Sequence, residues 1–542
     1  MTETVTLAMG QINPRVGDLP ANLAQIIQQL ELAKARGIEL VIFPEMCLTG
    51  YPPEDILFRE GLYPQIEAAL NQIAQATHGI ACVIGYPMMD GLGERFNMAA
   101  FISEGQILGS YIKQYLPNYS VFDEPRYFKS GNQACVVEFK GVRFGLLICE
   151  DIWKISPAAQ AKEAGAQVLL TLNASPFFQE KHQDRIRTLQ HRVQETGLPI
   201  VYVNQVGGQD ELVFDGGSFA ISADGDVCVQ APEFVSALTE VVLLKQAQSL
   251  VLLPGRQAEL YDEEARIYQA LLCGVRDYVT KNRFSGVLLG LSGGIDSALT
   301  LALAVDALGA DKVEAVMMPF RYTAAISIED AQQQAQNLGV AYQSIPIEPL
   351  YQSFETALES TLAGTQVDIT EENLQARIRG TLLMAISNKT GKMVLATSNK
   401  SEVAVGYSTL YGDMVGGFAP LKDVPKTWVY RLAHYRNQAS QVIPLRVIER
   451  APSAELRPDQ TDQDSLPDYA VLDAIIECYV QQDLSPMIIA EKLAIDENEV
   501  RRVIGLIDRS EYKRRQAAPG VKISARAFGR DRRYPITSGY HE

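Results

Sequence analysis

The hydrophobic pattern changes character once along the chain. Over the first 230 residues, short apolar or alternating runs follow one another closely: 5–12, 40–45, 81–86, 98–103, 107–113, 134–139, 142–149, 167–172, 199–204 and 217–222. Runs of this length and rhythm predict strands, and hairpin-like punctuation such as Ser103-Glu-Gly and Lys140-Gly separates several of them. Helical spacing is sparse there. It is clearest over Leu19–Arg36, where it stops at Gly37. The pattern predicts a layered α+β domain with much antiparallel sheet.

Between 231 and 262 the strand rhythm is lost amid Pro232, Pro254, Gly255 and the polar run GRQAELYDEE. A linker is expected over 246–261, between a first domain at 1–245 and a second at 262–542. Beyond it strands and helices alternate. The spacing predicts a helix over Tyr261–Lys281, a strand at 287–290 and a helical run from Ala298 to Leu308 that stops at Gly309. Strand Val313–Met318, helix Ser327–Leu338, strand Val340–Ile347 and helices Glu348–Leu362 and Asn373–Ser387 follow, then strand Lys392–Thr397. Such alternation implies a doubly wound, Rossmann-like parallel sheet with its ligand at the carboxyl edge.

Composition narrows the class. A chain of 542 residues with 47% hydrophobic and 21% charged residues is globular and long enough for several cores. No apolar run reaches about 18 residues, so no membrane span is expected. The N-terminus has no basic region or cleavage-like site, and the seven cysteines are scattered without a C-x-x-C. A disulfide framework or structural zinc is therefore not expected, and a reducing cytoplasm fits. The net charge of −17 argues against a nucleic-acid partner. From Arg501 onward, however, eleven basic side chains face four acidic ones. That tail reads equally as a subunit interface or as a lid over a polyanion.

The most informative stretch is Val287-Leu-Leu-Gly-Leu-Ser-Gly-Gly-Ile-Asp-Ser297. A strand, a double-glycine turn and a helix N-terminus make an anion site, because backbone N–H groups approach closely and the helix dipole favours negative charge. Ser292 and Ser297 add hydroxyls. Asp296 fits an anion site only if it faces a metal or fixes the loop. No lysine follows, so this is not the G-x-x-x-x-G-K-[ST] nucleotide loop. Ser-Gly-Gly-x-Asp-Ser instead resembles the pyrophosphate loop of the ATP pyrophosphatases.

In the first half, Cys149 stands where an apolar strand gives way to Glu150 and Asp151. A thiol nucleophile needs a base or a cation nearby. Glu45 and Lys113 are candidates, although spacing alone does not bring the three together. The blocks FPEMCLTGY, KQYLPNYSVFDEPRYF and GLLICEDIW resemble the three catalytic blocks of the nitrilase (carbon–nitrogen hydrolase) superfamily, in order, over roughly residues 5–230. The resemblance implies an α-β-β-α sandwich with Cys149 as nucleophile, Glu45 as general base and acid, and Lys113 as the cation beside the tetrahedral oxyanion. Glu124 is a further carboxylate of the site or a surface acid paired with Arg126. The blocks are similar to the glutamine amidase branch, which implies that Tyr119, Ser175 and Lys181 hold glutamine.

Polar strings in the second half, Glu371–Arg379, Leu395–Glu402, Gly406–Asp413 and Lys422–Thr427, fall where the sheet edge should be. Together with the loop they resemble the NAD synthetase family over about 262–542, and the two halves together resemble its glutamine-dependent branch. That resemblance implies ATP on Gly290, Leu291, Ser292, Gly293, Gly294, Ile295, Asp296, Ser297 and Thr397. It implies nicotinate adenine dinucleotide (deamido-NAD) on Asn373, Glu402 and Lys513, and Mg²⁺ at Asp296 and Glu402. Arg377, Lys400, Thr409 and Lys426 are further candidates for nucleotide or pyrophosphate contact. A homo-oligomer through the second domain is implied too. Two rival classes stay open: an amidotransferase on another nucleotide, of GMP-synthetase type, and a non-catalytic nitrogen or nucleotide sensor.

Overall fold

The structure, a computed structural model, describes residues 3–246, 249–458 and 460–540. The chain forms two compact units, residues 1–261 and 262–542.

In the first unit two sheets lie face to face. One has the strand order Leu250–Leu252, Ala237–Lys245, Glu3–Gln11, Leu40–Ile42, Ala81–Met89, Arg95–Ser103, Gln106–Ile112. The other runs Val227–Gln230, Phe219–Ile221, Ile200–Asn204, Val168–Asn173, Val142–Ile148, Val136–Phe139. Successive side chains of a strand point to opposite faces, and the core obeys that period. Val5, Leu7, Met9, Leu40, Ile42 and Val83 pack against Phe144, Leu146, Leu170 and Val201 of the second sheet. Ala8, Val41, Cys82 and Ile84 face the other way, onto Ile26 and Leu30 of helix Leu19–Ala35 and Ile66 and Ile73 of helix Leu62–Ala76. On the far side Ala158, Ala161, Leu189 and Val193 of helices Ile155–Glu163 and Lys181–Thr196 cover the outer face of the second sheet. The result is the α-β-β-α sandwich.

Pairing departs from the antiparallel expectation at the centre. Leu40–Ile42 is parallel to both its neighbours, and Val142–Ile148, Val168–Asn173 and Ile200–Asn204 are mutually parallel. Central strands covered on both faces read as continuous apolar runs, whereas the flanking hairpins alternate and dominate the pattern. The stretch 231–262 also differs from its reading. Ala237–Lys245 pairs antiparallel with all of Glu3–Gln11, and Leu250–Leu252, inside the segment assigned as linker, adds an edge strand. Pro232, Pro254 and Gly255 punctuate strand ends there and do not end the domain.

The second unit is built on a four-stranded, all-parallel sheet of order Ala341–Ser344, Val313–Met317, Val287–Gly290, Met393–Val394. The chain runs outward from Val287–Gly290 to one edge and returns on the other side of it. That reversal opens a crevice at the carboxyl ends of the two strands, where open α/β sheets bind ligands. Helix Ile369–Thr390 is longer than the expected 373–387 because Asp368 and Glu371 form a capping box. Strand 392–397 shrinks to Met393–Val394. Beyond it Leu395 keeps a single bridge to Phe418, which frees Thr397 for the crevice.

Candidate functional site

In the first unit the parallel strands deliver polar side chains to one place. Glu45 follows Leu40–Ile42 in a turn whose next residue, Met46, has φ +46°. Gly85 makes that turn possible, since a Cβ there would lie 2.4 Å from the Met46 nitrogen. Lys113 immediately follows strand Gln106–Ile112, and Glu124 begins a single 3₁₀ turn. Lys113 Nζ donates to Glu45 Oε1 at 2.7 Å and to Glu124 Oε1 at 2.8 Å, and neither Lys113 nor Glu45 has any exposed surface. Glu45 also accepts from Asn97 Nδ2 (2.7 Å) and from the Ala174 N–H (3.1 Å), while Glu124 accepts from Tyr51 OH (2.8 Å). Glu124 therefore belongs to the buried cluster; the alternative of a surface acid paired with Arg126 is excluded, because Arg126 pairs with Asp55.

Cys149 terminates Val142–Ile148 in a strained conformation, φ +45° and ψ −96°, that exposes its side chain to the cluster. Burial and the charge of Glu45 push its thiol well above the ordinary range, against the pull of Lys113. Burial alone would lower Lys113, yet Glu124 and Glu45 hold it well above an ordinary lysine. Burial and the neighbouring Glu45 raise Glu124 against the pull of Lys113. The site thus sets the Cys149 thiol beside the Lys113 ammonium and the Glu45 and Glu124 carboxyl groups.

The glutamine-binding candidates line the approach. Tyr119 donates to Glu150, the residue after the cysteine, at 2.8 Å. Lys181 Nζ lies 4.1 Å from the Trp153 ring centroid, and burial, with Arg185, brings its pKa down to about 8. Ser175 is held by Arg185 and Asn204, and Arg185 is in turn paired with buried Asp215. Of the remaining cysteines, Cys47 is raised by burial to about 12 and Cys82 is raised further by burial, as inert core thiols are.

In the second unit a cavity of about 270 Å³ is lined by Gly290, Leu291, Ser292, Gly294, Ile295, Asp296 and Ser297, with Thr397 and Glu402 opposite. Helix Ile295–Leu308 begins inside the loop, so its N-terminus faces the cavity. Ser297 Oγ donates to the Gly294 carbonyl and accepts from the Ser292 N–H, closing the loop on itself. Gly293 is not in the lining. Its φ is +82°, and a Cβ would lie 2.3 Å from the Ser327 carbonyl, so it shapes the loop from behind. Asp296 and Glu402 both face Lys426, whose ammonium they share, with Nζ–Glu402 Oε1 at 3.1 Å. Two half-buried carboxylates converging on one cation beside a phosphate loop are the hard oxygen donors that Mg²⁺ takes, so these residues fit that ion.

Sequence reasoning did not bring every candidate to this cavity. Asn373 accepts from Thr409 Oγ1 (2.8 Å), and Lys513 Nζ donates to the Gly406 and Ser408 carbonyls (2.7 Å each) beside a second hollow formed with Arg509, Tyr512 and Tyr534. Arg377 donates to the Leu410 carbonyl. Lys400 is withdrawn altogether: it is 1% exposed and paired with Asp423 at 2.7 Å. It sits on the inward face of its short helix, which a sequence string cannot reveal. Conversely, Arg379 and Arg450 line the cavity and were not singled out as ligands. Burial lowers Arg379 to about 10, and Glu455 is the one acid that opposes this, which marks a cation aimed into the cavity.

Comparison with known proteins agrees with this division. Residues 6–249 match the carbon-nitrogen hydrolase family and residues 267–517 the NAD synthase family. The glutamine-dependent NAD(+) synthetase of Acinetobacter baylyi is 51% identical over 537 residues, 98% of each chain. That of Thermotoga maritima is 43% identical over 99% of each chain. The structure of the Acinetobacter baumannii glutamine-dependent NAD+ synthetase in complex with adenosine diphosphate superposes with a TM-score of 0.81 at 47% identity, covering 99% of both chains.

Proposed function

The chain belongs to the glutamine-dependent NAD(+) synthetase family, and on that premise we propose that its two sites divide one carbon–nitrogen ligation between them. The first unit releases ammonia from glutamine. Cys149 Sγ attacks the side-chain amide carbon as Glu45 takes the thiol proton, and Lys113 offsets the charge on the tetrahedral oxygen. Glu45 then returns the proton to the departing ammonia, and water cleaves the thioester to glutamate. Tyr119, Ser175 and Lys181 hold the glutamine.

The second unit activates the acceptor. Gly290–Ser297 and Thr397 hold ATP, with Asn373, Glu402 and Lys513 holding deamido-NAD. The nicotinate carboxylate attacks the α-phosphorus, pyrophosphate leaves, and ammonia displaces AMP from the acyl adenylate to give NAD⁺. Adenylation is needed because hydroxide is a far poorer leaving group than AMP. Asp296 and Glu402 would hold Mg²⁺, which when bound offsets phosphate charge. Displacing Lys426 from them leaves an ammonium to meet the same phosphates. All seven cysteines are free thiols, which supports a reducing cytoplasm as its place of action, and a homo-oligomer through the synthetase unit is part of the same reading.

The observation that carries the reading is the joint presence of a buried Glu45–Lys113–Cys149 cluster and a lysine-free pyrophosphate loop in one chain. The test is AMP release with glutamine and ATP across candidate acceptors. Only the deamidated dinucleotide should support it. Equal AMP formation with a purine nucleotide would assign another acceptor, and none with any acceptor would point to a sensor.

A further inference from the structure

Asp151, two residues after the nucleophile, has no exposed surface and accepts four hydrogen bonds. Oδ1 takes the backbone N–H groups of Gln114 (3.1 Å) and Tyr115 (2.8 Å). Oδ2 takes Tyr111 OH (2.8 Å) and the N–H of Ile148 (3.1 Å). The first three donors flank Lys113 on both sides, and the fourth immediately precedes Cys149. The two strands involved, Gln106–Ile112 and Val142–Ile148, belong to different sheets, so no ladder hydrogen bond fixes one against the other.

We propose that Asp151 is a positioning residue for the amidase chemistry: its carboxylate staples the segment carrying Lys113 to the strained turn carrying Cys149. The proposal rests on the reading of those two residues as oxyanion cation and nucleophile. The physical case has three parts. A residue held at φ +45° and ψ −96° persists only where its surroundings over-determine it, and the Ile148 N–H held by Asp151 fixes the peptide just before that turn. An ionised carboxylate is acceptor-only, so it satisfies all four convergent donors; an amide of the same shape would turn its NH2 toward the two donors that one oxygen holds. Burial raises Asp151 to about 6, and the donors of Tyr115, Tyr111 and Ile148, with the charge of Lys113, oppose that rise. Asp151 is held by three backbone N–H groups and the Tyr111 hydroxyl, so it acts on the geometry of the reaction and not on the reacting atoms.

The test is Asp151→Asn in the full chain, with ammonia-dependent NAD⁺ synthesis as the internal reporter of an intact protein. Glutamine-dependent kcat should fall by about 100-fold, the cost of a displacement near 1 Å between reacting groups, while KM for glutamine moves by less than about threefold and ammonia-dependent synthesis is retained. Tyr111→Phe, which deletes one donor without changing the buried shape, should lower the same kcat by about fivefold. Unchanged kcat in both variants overturns the proposal. So does a rise in KM at constant kcat, which would make Asp151 part of the glutamine pocket. If Asp151→Asn does not fold, Tyr111→Phe decides alone. Cys149→Ala, run in parallel, separates the two layers: persistence of glutamine-dependent synthesis in that variant would refute the nucleophile assignment itself.

Discussion

Lys113 shows how one side chain can be tied to stability and, on the proposed mechanism, to chemistry as well. It is one ammonium between two buried carboxylates, and removing it leaves charge in a low-dielectric interior with nothing opposite. Lys113→Met should therefore cost about 3–5 kcal/mol, the range for breaking a buried ion pair from one side. The chain has one tryptophan in each unit, Trp153 and Trp428, so denaturant unfolding followed through Trp153 fluorescence in a Trp428→Phe background measures it. Lys181 bears on pH in the opposite sense. Its folded pKa, about 8, lies below the ordinary lysine value, so the charged form is lost as pH rises through 8. If it holds the substrate carboxylate as a cation, kcat/KM for glutamine should decline above about pH 8, with ammonia-dependent synthesis following a different profile. An unbroken plateau to pH 10 would remove Lys181 from substrate binding. Both residues were legible as candidates by resemblance, and Glu124 as one of two open readings; its contact with Lys113 and the tryptophan under Lys181 were not, because partners 11 and 28 residues away meet only in the fold.

At the scale of elements, glycines in two turns decide where functional groups point. Gly293→Ala would put a Cβ against the Ser327 carbonyl at a left-handed backbone position, so the loop must move. Ammonia-dependent synthesis should fall by at least about 100-fold with glutamine hydrolysis retained, measured as glutamate released. The strand–loop–helix unit around it was fully legible, since a four-residue apolar run, a glycine turn and helical spacing identify it locally. The parallel centre of the first unit was not. Alternation reports which faces are buried and is silent on strand direction, and the short central strands are too brief to show it. The edge strand Leu250–Leu252 was lost to Pro254 and Gly255 beside it.

At the scale of the molecule, two units with separate cores imply separable activities. Cys149→Ala should abolish glutamine-dependent synthesis and leave ammonia-dependent synthesis intact. Asp296→Ala should abolish both while glutamate release continues, because the amide donor does not need the loop. Asp296→Asn and Glu402→Gln should each raise the Mg²⁺ concentration for half-maximal ammonia-dependent synthesis by at least about tenfold. Indifference to both substitutions would move the metal elsewhere.

The sequence by itself determined the two-part plan and the strand, glycine turn and helix of the anion loop, because each is written in contiguous residues whose spacing is self-identifying; Glu45, Lys113 and Cys149 were candidates by block resemblance, since spacing alone does not bring them together. Only the tertiary structure decided which charges share a partner. Glu124 joined the buried cluster, Lys400 left the nucleotide site for Asp423, Lys426 came to bridge Asp296 and Glu402, and Asp151 gathered donors from two sheets. The reason is physical: burial and pairing of a charge depend on what the other strands and helices bring to it, and that is fixed by topology and not by neighbours in the chain.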